Sequence, residues 1–186
     1  MRHKVPFCIL IALILLLLLS IFMFSDQDSD QSSNLSRQVS VWLANFLNPT
    51  YMKSAKESTQ NHVIKFLSLP VRKGAHMGEY ALLGALLMCA MLCLRLKMWL
   101  RMLLSFVSAV IFAMADEFHQ TFVTGRSGEI RDILFDSTGA ALGILFVWIL
   151  SLAVLYAIGC RRLKNAGKGG KRKPNHTGYR SAPPPN

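Results

Sequence analysis

From Val5 to Phe24 the chain carries twenty residues without a charge, and from Leu134 to Cys160 only Asp136 interrupts an otherwise uncharged run. Runs of this length match the roughly 20 helical residues that cross a bilayer. With 52% apolar and 17% charged residues in a chain of 186, a large soluble enzyme is excluded. Two further apolar blocks lie between these, joined by the short basic stretch Arg95-Leu-Lys97. The expected fold is all-α: a four-helix transmembrane bundle with spans at about 5–24, 75–94, 98–120 and 133–158. The first block is longer than a cleaved signal's apolar region and ends Ile-Phe-Met-Phe rather than in small residues, so it reads as a signal anchor.

Basic residues set the orientation. Arg2 and Lys4, then Arg95, Lys97 and Arg101, then the Lys- and Arg-rich stretch after Gly159 all fall on one side of a four-span chain, which makes that side the cytoplasm and places both termini there. The net charge of +11 thus points to topology and anionic lipid, not to nucleic acid. Residues 159–186 are expected to be a disordered basic cytoplasmic tail. The extracytoplasmic loop, 25–71, carries Leu35, Val39, Trp42 or Leu43, and Phe46 at helical spacing. An amphipathic helix over about 35–47 is expected there, lying on the outer leaflet or capping the bundle. Cys8, Cys89, Cys93 and Cys160 read as small core hydrophobes, and Trp99 and Trp148 as belt or lipid-facing residues.

The chemistry is carried by ionisable residues near the outer ends of the last three spans. His76 lies three residues before Glu79 and four before Tyr80, so one helical face carries all three. Asp116, His119 and Gln120 likewise share a face, with Glu117 beside them. Counted from the basic turn at about 1.5 Å per residue, Glu79 rises roughly 24 Å and Asp116 roughly 22 Å, with His76 and His119 near 28 and 27 Å. Antiparallel neighbours would then set carboxylate beside carboxylate and imidazole beside imidazole. Asp132, Asp136, Gly139 and Gly143 form one stripe of the last span, in which the glycines allow close packing. Gly74 and Gly78 repeat that device beside His76. Between the last two spans, Gly125 and Gly128 permit a tight re-entry that presents Arg126, with Arg131 following.

Arg72-Lys73 with His76 and Glu79-Tyr80, then Asp116-Glu117 with Gln120, Gly125-Arg126, Asp132 and Gly139 together resemble the VanZ-like family of bacterial membrane proteins. The match runs from about Val71 to Gly143 and includes the family's Asp-Glu-x-x-Gln, Gly-Arg and Asp-x-x-x-(Asn or Asp)-x-x-Gly elements. The resemblance implies a four-span protein of the bacterial plasma membrane, in a family named for a member linked to low-level resistance to teicoplanin, a glycopeptide antibiotic. It implies no particular reaction.

Three readings of the polar residues follow. In the first, Arg72, Lys73, Arg126 and Arg131, with Tyr80, Glu117, Gln120 and Asp136, bind an anionic or lipid-linked molecule at the outer leaflet, such as a cell-wall intermediate or a glycopeptide or lipopeptide antibiotic. In the second, Glu79, Asp116 and Asp132 with His76 and His119 form a catalytic site on a lipid-linked phosphate substrate, using acid/base chemistry or a divalent cation. No zinc-type spacing supports a particular metal set, and no other cofactor is expected. In the third, these groups are interhelical glue, Arg72 and Lys73 snorkel, Tyr80 sits in the aromatic belt and Glu117 faces headgroups. Membrane lipids are the expected surroundings, and the glycine seams would also serve an oligomer.

Overall fold

A computed structural model describes residues 4–126 and 128–169. Within them the chain is all helical: α1 (Lys4–Ser25), α2 (Ser29–Leu47), α3 (Pro49–Ser54), α4 (Glu57–Leu92), α5 (Met98–Gln120) and α6 (Ile130–Gly169). Helices α1, α4, α5 and α6 are each long and apolar enough to cross a membrane. Two compact units divide the chain, 1–149 and 150–186. The first holds α1 to α5 and α6 as far as Ile149. The second, over its described residues, consists of α6 helix. Residues 1–3 and 170–186, and with them most of the expected cytoplasmic tail, lie outside the described residues; the part from 159 to 169 is helical rather than disordered.

Helix α1 is apolar on every side, the composition of a helix surrounded by lipid and protein. One edge, Ile14 and Ile21, enters the core with Tyr80, Leu83, Leu87 and Ala90 of α4, Ala109 and Ala113 of α5 and Ala140 of α6. Alanine at the crossing points keeps the helix axes close. Glycine does the same for α4 and α6: a Cβ at Gly139 would lie 2.2 Å from the Met77 carbonyl oxygen, and one at Gly84 would lie 2.4 Å from that of Ala140. The seam of the last span is therefore used inside one chain. Gly74 and Gly78 do not repeat it, since nothing lies within 4 Å of a Cβ built at either.

Helix α4 differs most from its expected span of 75–94. It begins at Glu57 and passes through Pro70, so its 36 residues rise about 54 Å, far more than a hydrocarbon core of about 30 Å. Polar Ser58 to His62 and the proline hide this helix in the sequence, and packing against α2 holds it. Helix α2 starts earlier than expected, at Ser29, because the Asp28 carboxylate accepts the Gln31 N–H at 2.7 Å and caps it. Its buried face is Ser32, Ser36, Ser40 and Ala44, while Leu35, Val39, Trp42 and Phe46 are exposed. Helix α3, not anticipated, is started by Asn48, whose side chain accepts the Tyr51 N–H, and by Pro49. The cysteines are all free, and only Cys89 is partly buried, so the core role expected for the other three fails.

Candidate functional site

At the end of the bundle opposite the Leu94–Lys97 turn, the loop from α5 to α6 folds back over the helices. Gly125 adopts φ 76°, in the left-handed region where glycine costs least. Gly128 fits against the end of α5, where a Cβ would come within 2.7 Å of the Glu117 carbonyl oxygen. The Glu129 N–H donates to Glu117 Oε2 at 2.9 Å, which ties the loop to α5. Glu117 is thus buried and structurally engaged, not turned toward headgroups.

The loop closes a cavity of about 230 Å³, lined by Arg72, Lys73 and His76 of α4, Glu117 and Gln120 of α5, Gly125, Arg126 and Glu129 of the loop, and Asp132 and Asp136 of α6. Lys73 donates to Asp132 across its wall and lies 4.9 Å from the centre of the Phe135 ring. Arg126 donates to the Phe24 carbonyl at 3.4 Å through Nη2, but its buried Nε and Nη1 have no hydrogen-bond partner. Burial and the nearby Arg72 guanidinium push its pKa below the ordinary arginine value.

A second, more apolar groove of about 580 Å³ runs between α2 and α4, along Leu35, Val39, Leu43, Leu67 and Pro70. Arg72, His76 and Arg126 line both spaces, so a polar chamber and an apolar groove share one wall.

Beneath the cavity, His76, Asp116 and Asp136 bring one ligating atom each within 4.8 Å of one another. Asp116 and Asp136 are 5% and 1% exposed. Gln120 donates to Asp116 Oδ2 at 3.1 Å, and Glu79 Oε2 stands 3.9 Å from His76 Nδ1. Asp136, on sequence grounds a binding candidate, joins His76 and Asp116 here. The glycine seam between α4 and α6 and the stripe that carries Asp136 above it were the signal for that placement.

Other expected members go elsewhere. His119 does not meet His76: its Nε2 is 3.3 Å from Asp26 Oδ1, just past the end of α1, and its ring lies tilted against Phe22 of α1 with centroids 4.3 Å apart. Arg131 is exposed and does not line the cavity. Tyr80 is fully buried in the core rather than in a belt, with a hydroxyl that finds no partner. Trp99 is exposed, while Trp148 packs beside Met88 and Ile144. Sequence reasoning missed Glu129, because its contribution is a backbone N–H.

The family model described as VanZ/LLP1 matches residues 9–151, a stretch that holds most of α1, all of α2 to α5, the loop and every residue of the cavity. No curated protein and no solved structure gives a significant match.

Proposed function

The chain belongs to the VanZ/LLP1 family, and from that premise we propose that this membrane protein recognises an anionic, lipid-linked molecule in the bacterial envelope. The observation that carries the reading is Arg126: two buried guanidinium nitrogens without partners, in the wall shared by the polar cavity and the apolar groove. A guanidinium is a planar donor fork that matches phosphate or carboxylate. Arg72 adds a second cation on the same wall. The groove accommodates an apolar chain attached to such a head. A lipid-linked cell-wall intermediate has this form, as does a lipopeptide or lipid-bearing glycopeptide antibiotic.

We place the chain in the plasma membrane with both termini in the cytoplasm, on the strength of Arg95, Lys97 and Arg101 around the α4–α5 turn. The cavity then opens at the outer leaflet. Occupation of that site by an antibiotic of the teicoplanin type, or by the intermediate it targets, is the route by which the protein would lower drug susceptibility.

The test uses the full chain in lipid nanodiscs, titrated with a long-chain polyprenyl phosphate and with the uncharged polyprenol. Wild type is expected to prefer the phosphate. Arg126→Gln should weaken phosphate binding by about tenfold or more, the loss of a charge-assisted hydrogen bond. Equal affinity for the two lipids overturns the reading. For resistance, a sensitive Gram-positive host carries wild type or Arg126→Gln with the membrane level of each quantified. Protection lost at unchanged level supports the role; no protection from wild type removes it.

A further inference from the structure

We propose that His76, Asp116 and Asp136 bind a divalent transition-metal cation, Zn²⁺ or Mn²⁺, at the floor of the polar cavity. The inference goes beyond ligand recognition and stands without it. Three helices, α4, α5 and α6, each deliver one donor, and the three donor atoms lie within 4.8 Å of one another. Around an ion about 2.1 Å from each donor, tetrahedral ligands stand about 3.4 Å apart, so the three donors would close in by up to about 1.4 Å.

A cation would relieve the charge at this site. Asp116 and Asp136 are almost excluded from water, and buried carboxylates this close repel unless something positive lies between them. Among the described residues no lysine or arginine donates to either one. Lys73 is engaged with Asp132, and two of the Arg126 nitrogens have no partner at all. Asp136 Oδ1 is itself a buried acceptor without a hydrogen bond. At 1% exposure Asp136 thus carries a buried oxygen free to ligate an ion.

The surroundings are those of ligands held in place. Gln120 fixes Asp116 through Oδ2, and Glu79 stands beside the His76 ring. Such outer partners orient ligating side chains, and a carboxylate beside an imidazole also raises its basicity. One imidazole with two carboxylates suits Zn²⁺ or Mn²⁺ better than Mg²⁺ or Ca²⁺, which favour all-oxygen shells. His76 and Asp136 also line the cavity, so an ion held by three protein donors is reached from that side, with further coordination positions left for water or an anion. The set differs from the one the sequence suggested. Glu79 sits behind the imidazole, Asp132 pairs with Lys73, and His119 faces α1.

The experiment measures metal with no lipid ligand present, so its outcome is independent of the recognition test. Full-length protein is purified in detergent without chelator, analysed for bound metals, then stripped and titrated with Zn²⁺ and with Mn²⁺. Wild type should hold about one ion per chain. Asp136→Asn should lower the affinity by about tenfold or more, while His119→Ala should leave it unchanged. Mn²⁺-loaded wild type, which requires no variant, should show electron spin-echo modulation from a directly coordinated imidazole nitrogen. Wild type that takes up neither ion overturns the proposal. So does an ion bound without the nitrogen modulation, or one held as tightly by well-folded Asp136→Asn.

Discussion

Gly143 of α6 meets the backbone of Ala81 on α4 so closely that a Cβ at Gly143 would lie 1.9 Å from the Ala81 carbonyl oxygen. This approach lies below the cavity on the stripe that carries Asp132 and Asp136, and it fixes where those carboxylates stand relative to Lys73 and His76. Backbone cannot yield as the end of a flexible side chain can. Gly143→Ala should therefore push the helices apart and cost about 1–3 kcal/mol, the usual range for overpacking a tight contact. Gly78→Ala is the control: its Cβ would meet nothing within 4 Å, and alanine favours helix by up to about 1 kcal/mol. Thermal unfolding in detergent, followed by size-exclusion recovery, separates the two. Equal melting of both variants and wild type would show that α4 and α6 do not depend on this contact.

Lys73 and Asp132 join α4 to the first turn of α6 at the cavity wall. Each side chain is about one-third exposed, 32% and 35%, so the pair should contribute no more than about 1 kcal/mol. Its larger effect is on register, because it holds the start of α6 beside the loop that carries Arg126. Lys73→Glu places two carboxylates together and should reduce both melting temperature and anion binding. Adding Asp132→Lys to that variant should recover melting temperature. If the double variant melts no higher than Lys73→Glu alone, the two residues act independently and the pair does not organise the wall.

The helical spacing of the sequence was enough to group His76 with Glu79 and Asp116 with Gln120, and the structure keeps both groupings. It was not enough to say which neighbour each face meets. Asp116 and His119 are three residues apart on α5, yet Asp116 turns to His76 and Asp136 while His119 turns to Phe22 of α1 and to Asp26 just past its end. A helix that touches several partners can divide one polar face between them, and spacing within a single helix carries no information about that division. The length of α4 was hidden for a different reason. Pro70 and the polar residues before it resemble a loop locally, whereas in the folded chain this stretch of α4 packs against α2.

That division of α5 has a measurable consequence. His119→Ala removes the Asp26 contact and the ring contact with Phe22 without touching the cavity. It should lower the melting temperature by loosening α1 from α5, while the affinity for polyprenyl phosphate stays within about twofold of wild type, as expected for independent sites. A loss of binding comparable to that of Arg126→Gln, with the melting temperature unchanged, would return His119 to the site.

Helix α2 presents its small residues to the protein and its large ones outward. Ser32, Ser36 and Ser40 are buried, whereas Trp42 and Phe46 are 66% and 71% exposed and stack on each other at 5.5 Å. Small residues let α2 lie close to α4, and an outward apolar stripe of this kind is stable where it meets the boundary between headgroups and acyl chains. A helix that only capped the bundle in water would carry the opposite pattern. With Trp99→Phe and Trp148→Phe in place, Trp42 is the one remaining tryptophan, and its fluorescence reports the surroundings of α2 alone. In vesicles containing lipids brominated at the upper acyl positions, this emission should be strongly quenched, and iodide in the aqueous phase should quench it weakly. The reverse result, strong quenching by iodide with none from bromolipid, would place the stripe in water and leave the groove between α2 and α4 without a lipid surface from which a chain could enter it.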